Sequence, residues 1–272
     1  MRVNSIKIPM ISPPLAKISC SSESSSGIPA FFEGDFNDPI IREQLLNFMR
    51  VNEQNSARLD PDIAGKALFA ARLAFEHCNE EEKETIIDFA ISASRHENAT
   101  VREAVLAFLS DSFLTVYVGR EEAVIEALLP LLNDGRRTAR GAFIHFLAAD
   151  LLFKIGGMNV AFKGGDGYFI EHASTCLNPN TPLETVEMVV DAAISILQDR
   201  VTYTSSARAR VALFMGGYAY VLNLPTALYN KIYLALYEAS LNDPDESVRM
   251  SAQRSIEYLE GISISGDLPC TQ

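Results

Sequence analysis

The chain has 272 residues, 48% of them hydrophobic, and a formal net charge of −12. That field repels phosphate backbones and anionic lipid surfaces, so nucleic acid is a poor partner and a basic protein or peptide a better one. No apolar run reaches the roughly 20 residues of a membrane-spanning helix: the longest, from Ala142 to Phe153, is interrupted by His145 and Asp150. A soluble, cytoplasmic protein is expected. The cysteines Cys20, Cys78, Cys176 and Cys270 form no Cys-x-x-Cys pair, which argues for free thiols rather than a disulfide framework or a closed zinc site.

Residues 1–30 read as a disordered leader. They contain Pro9, Pro13, Pro14 and Pro29, a Ser cluster from Ser19 to Ser26, and no acidic residue before Glu23. Proline forbids a long helix, and a serine run buries too little surface to offset its ordering entropy. With Arg2, Lys7 and Lys17 against Glu23 the first 27 residues carry +2, leaving about −14 on the body. No apolar h-region follows Arg2, so this is not a secretory signal peptide. The composition fits a plain tail, an organellar transit peptide or the signal of a secreted bacterial effector.

From Asp38 onward the pattern is helical. Asp38-Pro39 sets a cap before proline at the first helical position, and Ile40, Ile41, Leu45, Phe48 and Met49 follow at helical spacing. Asp60-Pro61-Asp62 opens a second helix through Ala64, Ala67, Leu68 and Ala71. Glu80-Glu81-Glu82 places carboxylates at the positive end of a third. A turn at His96-Glu97-Asn98 precedes Thr100-Val101-Arg102-Glu103-Ala104. A third pair opens at Glu121-Glu122, turns at Asn133-Asp134-Gly135 and resumes at Ala139-Arg140-Gly141-Ala142. A fourth runs from Pro182 to Leu197 and then through Ala209-Arg210-Val211-Ala212. The fifth starts at Pro225-Thr226 and turns at Asp243-Pro244-Asp245 into Ser247-Val248-Arg249.

Aligning Lys66, Arg102, Arg140, Arg210 and Arg249 gives steps of 36, 38, 70 and 39 residues, the long one being a period plus an insertion of about 30. A period near 37–39 with two helices per unit is the signature of a stacked array, in which each hairpin needs neighbours to cover its apolar side. The stretch from Asp243 to Ala252 resembles the inter-helix turn and second-helix start of HEAT repeats, and Thr100-Val101-Arg102-Glu103-Ala104 is a second match. The resemblance covers most of residues 38–261. It implies an all-α, armadillo-like superhelix of about five hairpins, with Arg102, Arg140, Arg210, Arg249 and Asp243 in a structural ladder. It also implies a scaffold or adaptor that binds a protein or peptide on a concave face lined by the second helices.

The insertion 154–181 breaks the helical rhythm with Gly156-Gly157 and Lys163-Gly164-Gly165-Asp166-Gly167. Its lysine precedes its glycines, unlike a phosphate-binding loop, and Asp166 alone makes no calcium loop. Lys163, Asp166 and Tyr168 are candidate partner contacts if the loop shapes the binding face; a longer connector is the plainer reading. Tyr229, Tyr233 and Tyr237, four residues apart, form one stripe that suits either an interface or helix packing. His172 and Cys176 share a helical face but lack further metal ligands, and His145 sits among apolar residues. His96-Glu97 resembles one His-Glu pair of the iron-dependent HEAT-repeat hydroxylases, which use several. No catalytic constellation, metal site or cofactor is expected. A residues-262–272 tail closes the chain. Two alternatives stand beside the scaffold: a secreted effector or organelle-imported protein using the array to bind a target, and a HEAT-like enzyme such as a bilin lyase.

Overall fold

A computed structural model describes residues 29–112, 119–137, 143–158, 181–221 and 224–261. Lys163, Asp166, Tyr168 and Arg140 lie outside the described residues, as do His172, Cys176 and residues 262–272. Among the described residues the protein is all-helical, with a single isolated antiparallel bridge between Arg137 and Phe143 and no strand.

Ten α-helices lie among the described residues: α1 (Pro39–Asn52), α2 (Pro61–Ala74), α3 (Glu80–Ala93), α4 (Ala99–Ser112), α5 (Glu121–Leu128), α6 (Ile144–Ile155), α7 (Leu183–Gln198), α8 (Ser205–Val221), α9 (Thr226–Asn242) and α10 (Glu246–Leu259). Their starts follow local chemistry. The Asp38 carboxylate accepts from the Ile40 amide, Asp60 from those of Asp62 and Ile63, and Asp245 from that of Ser247. Each satisfies a donor that the helix itself leaves unpaired. Asn79 and Glu82 close a reciprocal capping box at α3.

The helices pack in an ordered way. α1 packs on α3, α3 on α5, α5 on α7 and α7 on α9; α2 packs on α4, α4 on α6, α6 on α8 and α8 on α10. Each odd-numbered helix also meets the even-numbered helix that follows it. The apolar core is continuous along this path, from Leu45, Leu46 and Met49 through Phe89, Phe108 and Phe153 to Tyr218 and Ile256. The packing of α8 on α10 is the most extensive. There Gly216 lets the backbones approach: a Cβ at this position would sit 2.4 Å from the Ser255 Cβ. The Ser255 hydroxyl donates to the Ala212 carbonyl at 2.9 Å across the same crossing.

Three features differ from the sequence reading. The core begins before Asp38, because Phe32 and Phe36 are buried against it beside a short 3-10 turn, Ala30–Glu33. Pro130 lies in another 3-10 turn, Leu129–Asn133, which cuts α5 to eight residues. The even-numbered helix of the third pair is α6, which starts at Ile144 after an extended Phe143 (φ −85°, ψ 139°).

Candidate functional site

The corners between paired helices are joined to one another by polar contacts. At the second corner His96 is buried; its Nδ1 accepts the Asn98 amide at 2.9 Å and its Nε2 lies 2.8 Å from the Leu59 carbonyl of the first corner. With Nδ1 accepting, the hydrogen is on Nε2, which donates to Leu59. Arg102 on α4 then bridges two corners. One terminal nitrogen donates to the His96 carbonyl, while Nε donates to the Asp134 carboxylate at 2.7 Å. Arg136 adds a bond from the third corner back to the Glu97 carbonyl at 3.1 Å. Asn133 joins the third corner to the fourth, donating to the Thr202 carbonyl at 2.7 Å and accepting the Thr204 amide at 2.9 Å. Arg208 on α8 joins the fourth to the fifth, donating to both Asp243 oxygens at 3.2 and 3.0 Å and to the Tyr203 carbonyl at 2.7 Å.

The expected ladder residues are therefore distributed as follows. Arg102 and Asp243 each join successive corners. Arg210 does not reach Asp243; its guanidinium lies 4.9 Å over the Phe146 ring, and Arg208, two residues earlier, takes the carboxylate. Arg249 donates to the carbonyls of Asp243 and Pro244 at 2.7 and 3.0 Å, within its own corner. That matches half of what Arg102 and Arg208 do: each binds its own corner with one nitrogen and the next corner's Asp with the others. No further corner follows α10 among the described residues. Lys66, the counterpart in the first pair, pairs instead with Glu33 at 2.8 Å. Sequence reasoning placed His96 and Asn133 in turns without reading their role in joining corners, and it missed Arg208; only the recurrence of polar residues at every corner could have flagged that role.

Acidic charge is concentrated on three of the helices, while α1 and α9 in the same odd-numbered series carry as many or more basic than acidic residues. α3, α5 and α7 carry Glu80, Glu81, Glu82, Glu84, Asp88, Glu121, Glu122, Glu126, Glu184, Glu187 and Asp191 against the single cation Lys83. Two of these carboxylates link neighbours in the odd-numbered series: Asp88 pairs with Arg120 before α5, and Asp191 with Lys231 on α9. The even-numbered helices α2, α6, α8 and α10 instead hold as many or more basic than acidic residues.

The tyrosine stripe divides in two. The Tyr229 hydroxyl donates to the Leu259 carbonyl at 3.3 Å and Tyr233 to Glu260 at 2.5 Å, so both tie α9 to the end of α10. The bond to Glu260 holds the Tyr233 phenol above its usual range. Tyr237 stacks on Tyr233 with ring centroids 6.4 Å apart and stays half exposed, in line with exposed Leu234 and Leu241. At the opposite end, Phe69 (59% exposed) and Leu73 (49%) project from α2 beside the Ala30–Glu33 turn. Together with Phe32 and Phe36 they line an open groove of about 350 Å³.

Three of the buried side chains are shifted from their ordinary titration ranges. Asp150 is buried on α6, where burial raises its carboxyl against the pull of Lys154, its partner at 2.7 Å; Lys154 also donates to Ser110 at 3.2 Å. His145 stacks on Phe143 at 5.2 Å, and burial lowers its imidazole against the opposing bond to Asp134. Burial pushes the Cys78 thiol up to about 11. No group of three or more His, Cys, Asp or Glu side chains among the described residues is placed to hold a metal ion. No described helix is long and apolar enough to cross a membrane. The chain matches no protein-family model, no curated protein and no solved structure, so its functional reading rests on this geometry.

Proposed function

We propose that this chain is a short HEAT-like stacked array, an α-α superhelix of five hairpins, that serves as a protein- or peptide-binding scaffold along its even-numbered helices. The observation that carries the reading is the pattern of neighbours: odd-numbered helices pack on odd, even on even, and a polar contact crosses every step from one corner to the next. A chain built this way spreads its residues over two long rows of helices instead of gathering them into one pocket, and extended rows suit macromolecular partners. Exposed apolar side chains give such a partner something to bury: Phe69 and Leu73 on α2 and Met250 on α10 in the even-numbered row, with Leu234, Tyr237 and Leu241 on α9 in the other.

A second reading is favoured by the carboxylates gathered on α3, α5 and α7. A basic partner would be drawn to the acidic row of α3, α5 and α7 instead. Affinity capture with three proteins separates the readings: the native chain, Phe69→Glu with Met250→Glu, and Glu81→Lys with Glu187→Lys. Loss of a saturable partner only in the first variant supports the even-numbered row, and loss only in the second supports the acidic row. Equal retention in both sinks each.

A further inference from the structure

The outward face of α9, the last odd-numbered helix, carries an apolar stripe. Leu234, Tyr237 and Leu241 are 66%, 50% and 60% exposed, and their steps of three and four residues are those of a seam between two helices. The fully exposed positions from Ala227 to Leu241 are arranged symmetrically about Leu234. Ala227 and Leu241 stand seven residues before and after it, Asn230 and Glu238 four, and Lys231 and Tyr237 three. Such a set is unchanged when the helix is turned end for end, which is what a two-fold axis at Leu234 does.

The chemistry of these pairs identifies the occupant as a second copy of the chain. With two α9 helices antiparallel about that axis, Leu234 meets Leu234 of the second copy, and Leu241 meets the small Ala227. Lys231 and Glu238 are seven residues apart and so share one side of the helix. On that side Lys231 comes within about 1.5 Å of axial register with Glu238 of the second copy, its opposite charge. On the other side Tyr237 faces Asn230, a hydroxyl beside an amide. The axis makes each of these contacts twice. Two of the side chains are already held in place, which lowers the ordering cost of association: Lys231 pairs with Asp191, and Tyr237 stacks on Tyr233, which is bonded to Glu260.

The neighbouring helices do not oppose this pairing. α7 runs alongside α9 in the same direction, since Asp191 meets Lys231 and Arg200 lies 3.9 Å from Asp243 at the two C-terminal ends. Antiparallel pairing therefore turns Glu184 and Glu187, in the first half of α7, toward Ser195 and Gln198 of the second copy and away from each other. On the other flank, α10 balances Glu246 and Glu257 with Arg249 and Arg254. Each copy carries −12, but at about 0.15 M salt that repulsion is screened beyond roughly 8 Å, so contacts within the seam decide.

We propose that α9 is a self-association helix through which two copies of the chain pair antiparallel, with the two-fold axis at Leu234. One helix against one helix is smaller than the roughly 800 Å² per partner of a standard interface, so the dimer is reversible, with a dissociation constant on the order of 10 μM. The inference is independent of what the even-numbered row binds, because it is measured on the isolated chain.

Sedimentation equilibrium of the full 272-residue chain from about 1 to 500 μM, a range that brackets this affinity, should show the mass rising from 29.9 kDa toward twice that value. Leu234→Glu sets two like charges on the axis and should hold the mass at one chain. Glu238→Lys turns both Lys231 contacts repulsive and should weaken the dimer about tenfold. Mild oxidation should link Leu234→Cys to its own copy, with the bond assigned by peptide mapping. It should not link Leu241→Cys, whose two copies stand about 21 Å apart along the seam. The cysteine variants decide by themselves if Leu234→Glu fails to fold. A one-chain mass at every concentration, association that survives Leu234→Glu, absence of a link through Leu234→Cys, or a link through Leu241→Cys would overturn the proposal.

Discussion

Arg208 grips Asp243 through both carboxylate oxygens, and the two side chains are almost completely buried, at 5% and 1% exposure. Arg208 belongs to the fourth hairpin and Asp243 to the corner of the fifth, so this pair fixes where one hairpin sits on the next. Deleting one partner of a buried pair is strongly destabilising, and without Arg208 the Asp243 carboxylate would keep only Arg200, at 3.9 Å, and the Asp245 amide.

Arg208→Ala is therefore expected to cost about 3–5 kcal/mol. Arg210→Ala removes a guanidinium over the Phe146 ring, an interaction worth about 0.5–2 kcal/mol. Urea denaturation followed by circular dichroism compares the two. A larger loss from Arg210→Ala would mean that the ladder is wrongly assigned.

Gly216 should tolerate no side chain. In Gly216→Ala the new methyl meets the Ser255 Cβ at 2.4 Å and its Cα at 2.8 Å, and a backbone atom cannot rotate away. Overpacking of this kind costs about 1–3 kcal/mol. Adding Ser255→Gly removes the nearer clash and leaves the one with the backbone, so thermal melting should show partial recovery and not full recovery.

Two aspartates give stability opposite pH dependence. Burial opposes ionisation of Asp134, but the bonds from Arg136 and the charge of Arg102 outweigh it and hold the carboxyl below its ordinary range. That contribution is fully present above the unfolded value of about 4 and is lost as pH falls through the lower folded value. Asp150 has the other sign: burial raises its carboxyl, so its ionised form costs stability at neutral pH and the cost fades as pH falls through the raised folded value. Denaturation between about pH 7 and pH 2.5, a range that brackets the carboxylate values, should show a shallower acid loss in Asp134→Asn. Asp150→Asn should show a steeper one.

Cys78 should be inert in the native state. It is 8% exposed, its Sγ donates to the Ala74 carbonyl at 3.3 Å, and its thiol is raised to about 11. The thiolate is the reactive species, so peptide mapping after treatment with a maleimide at pH 7 should find Cys78 labelled only once denaturant is added.

The helices that open on a capping side chain were readable from the chain because their causes are local; α6, whose N-cap Phe143 makes no side-chain cap bond, was placed too early. Asp38, Asp60 and Asp245 cap amides two or three residues away, and the apolar spacing that follows needs only one turn of helix to be recognised. The corner at Asp243-Pro244-Asp245 was legible for the same reason. Tertiary structure alone decided which arginine meets which corner. Arg208 and Arg210 are two residues apart on α8 and so point about 200° apart around the helix; repeat spacing cannot choose between them, whereas the packing of α8 turns Arg208 to Asp243 and Arg210 to Phe146. The groove at Phe69 was invisible for a related reason: its floor at Phe32 and Phe36 and its wall on α2 are more than thirty residues apart in the chain. Sequence patterns report what a residue does to its near neighbours, and a surface assembled from distant ones exists only when the chain has folded.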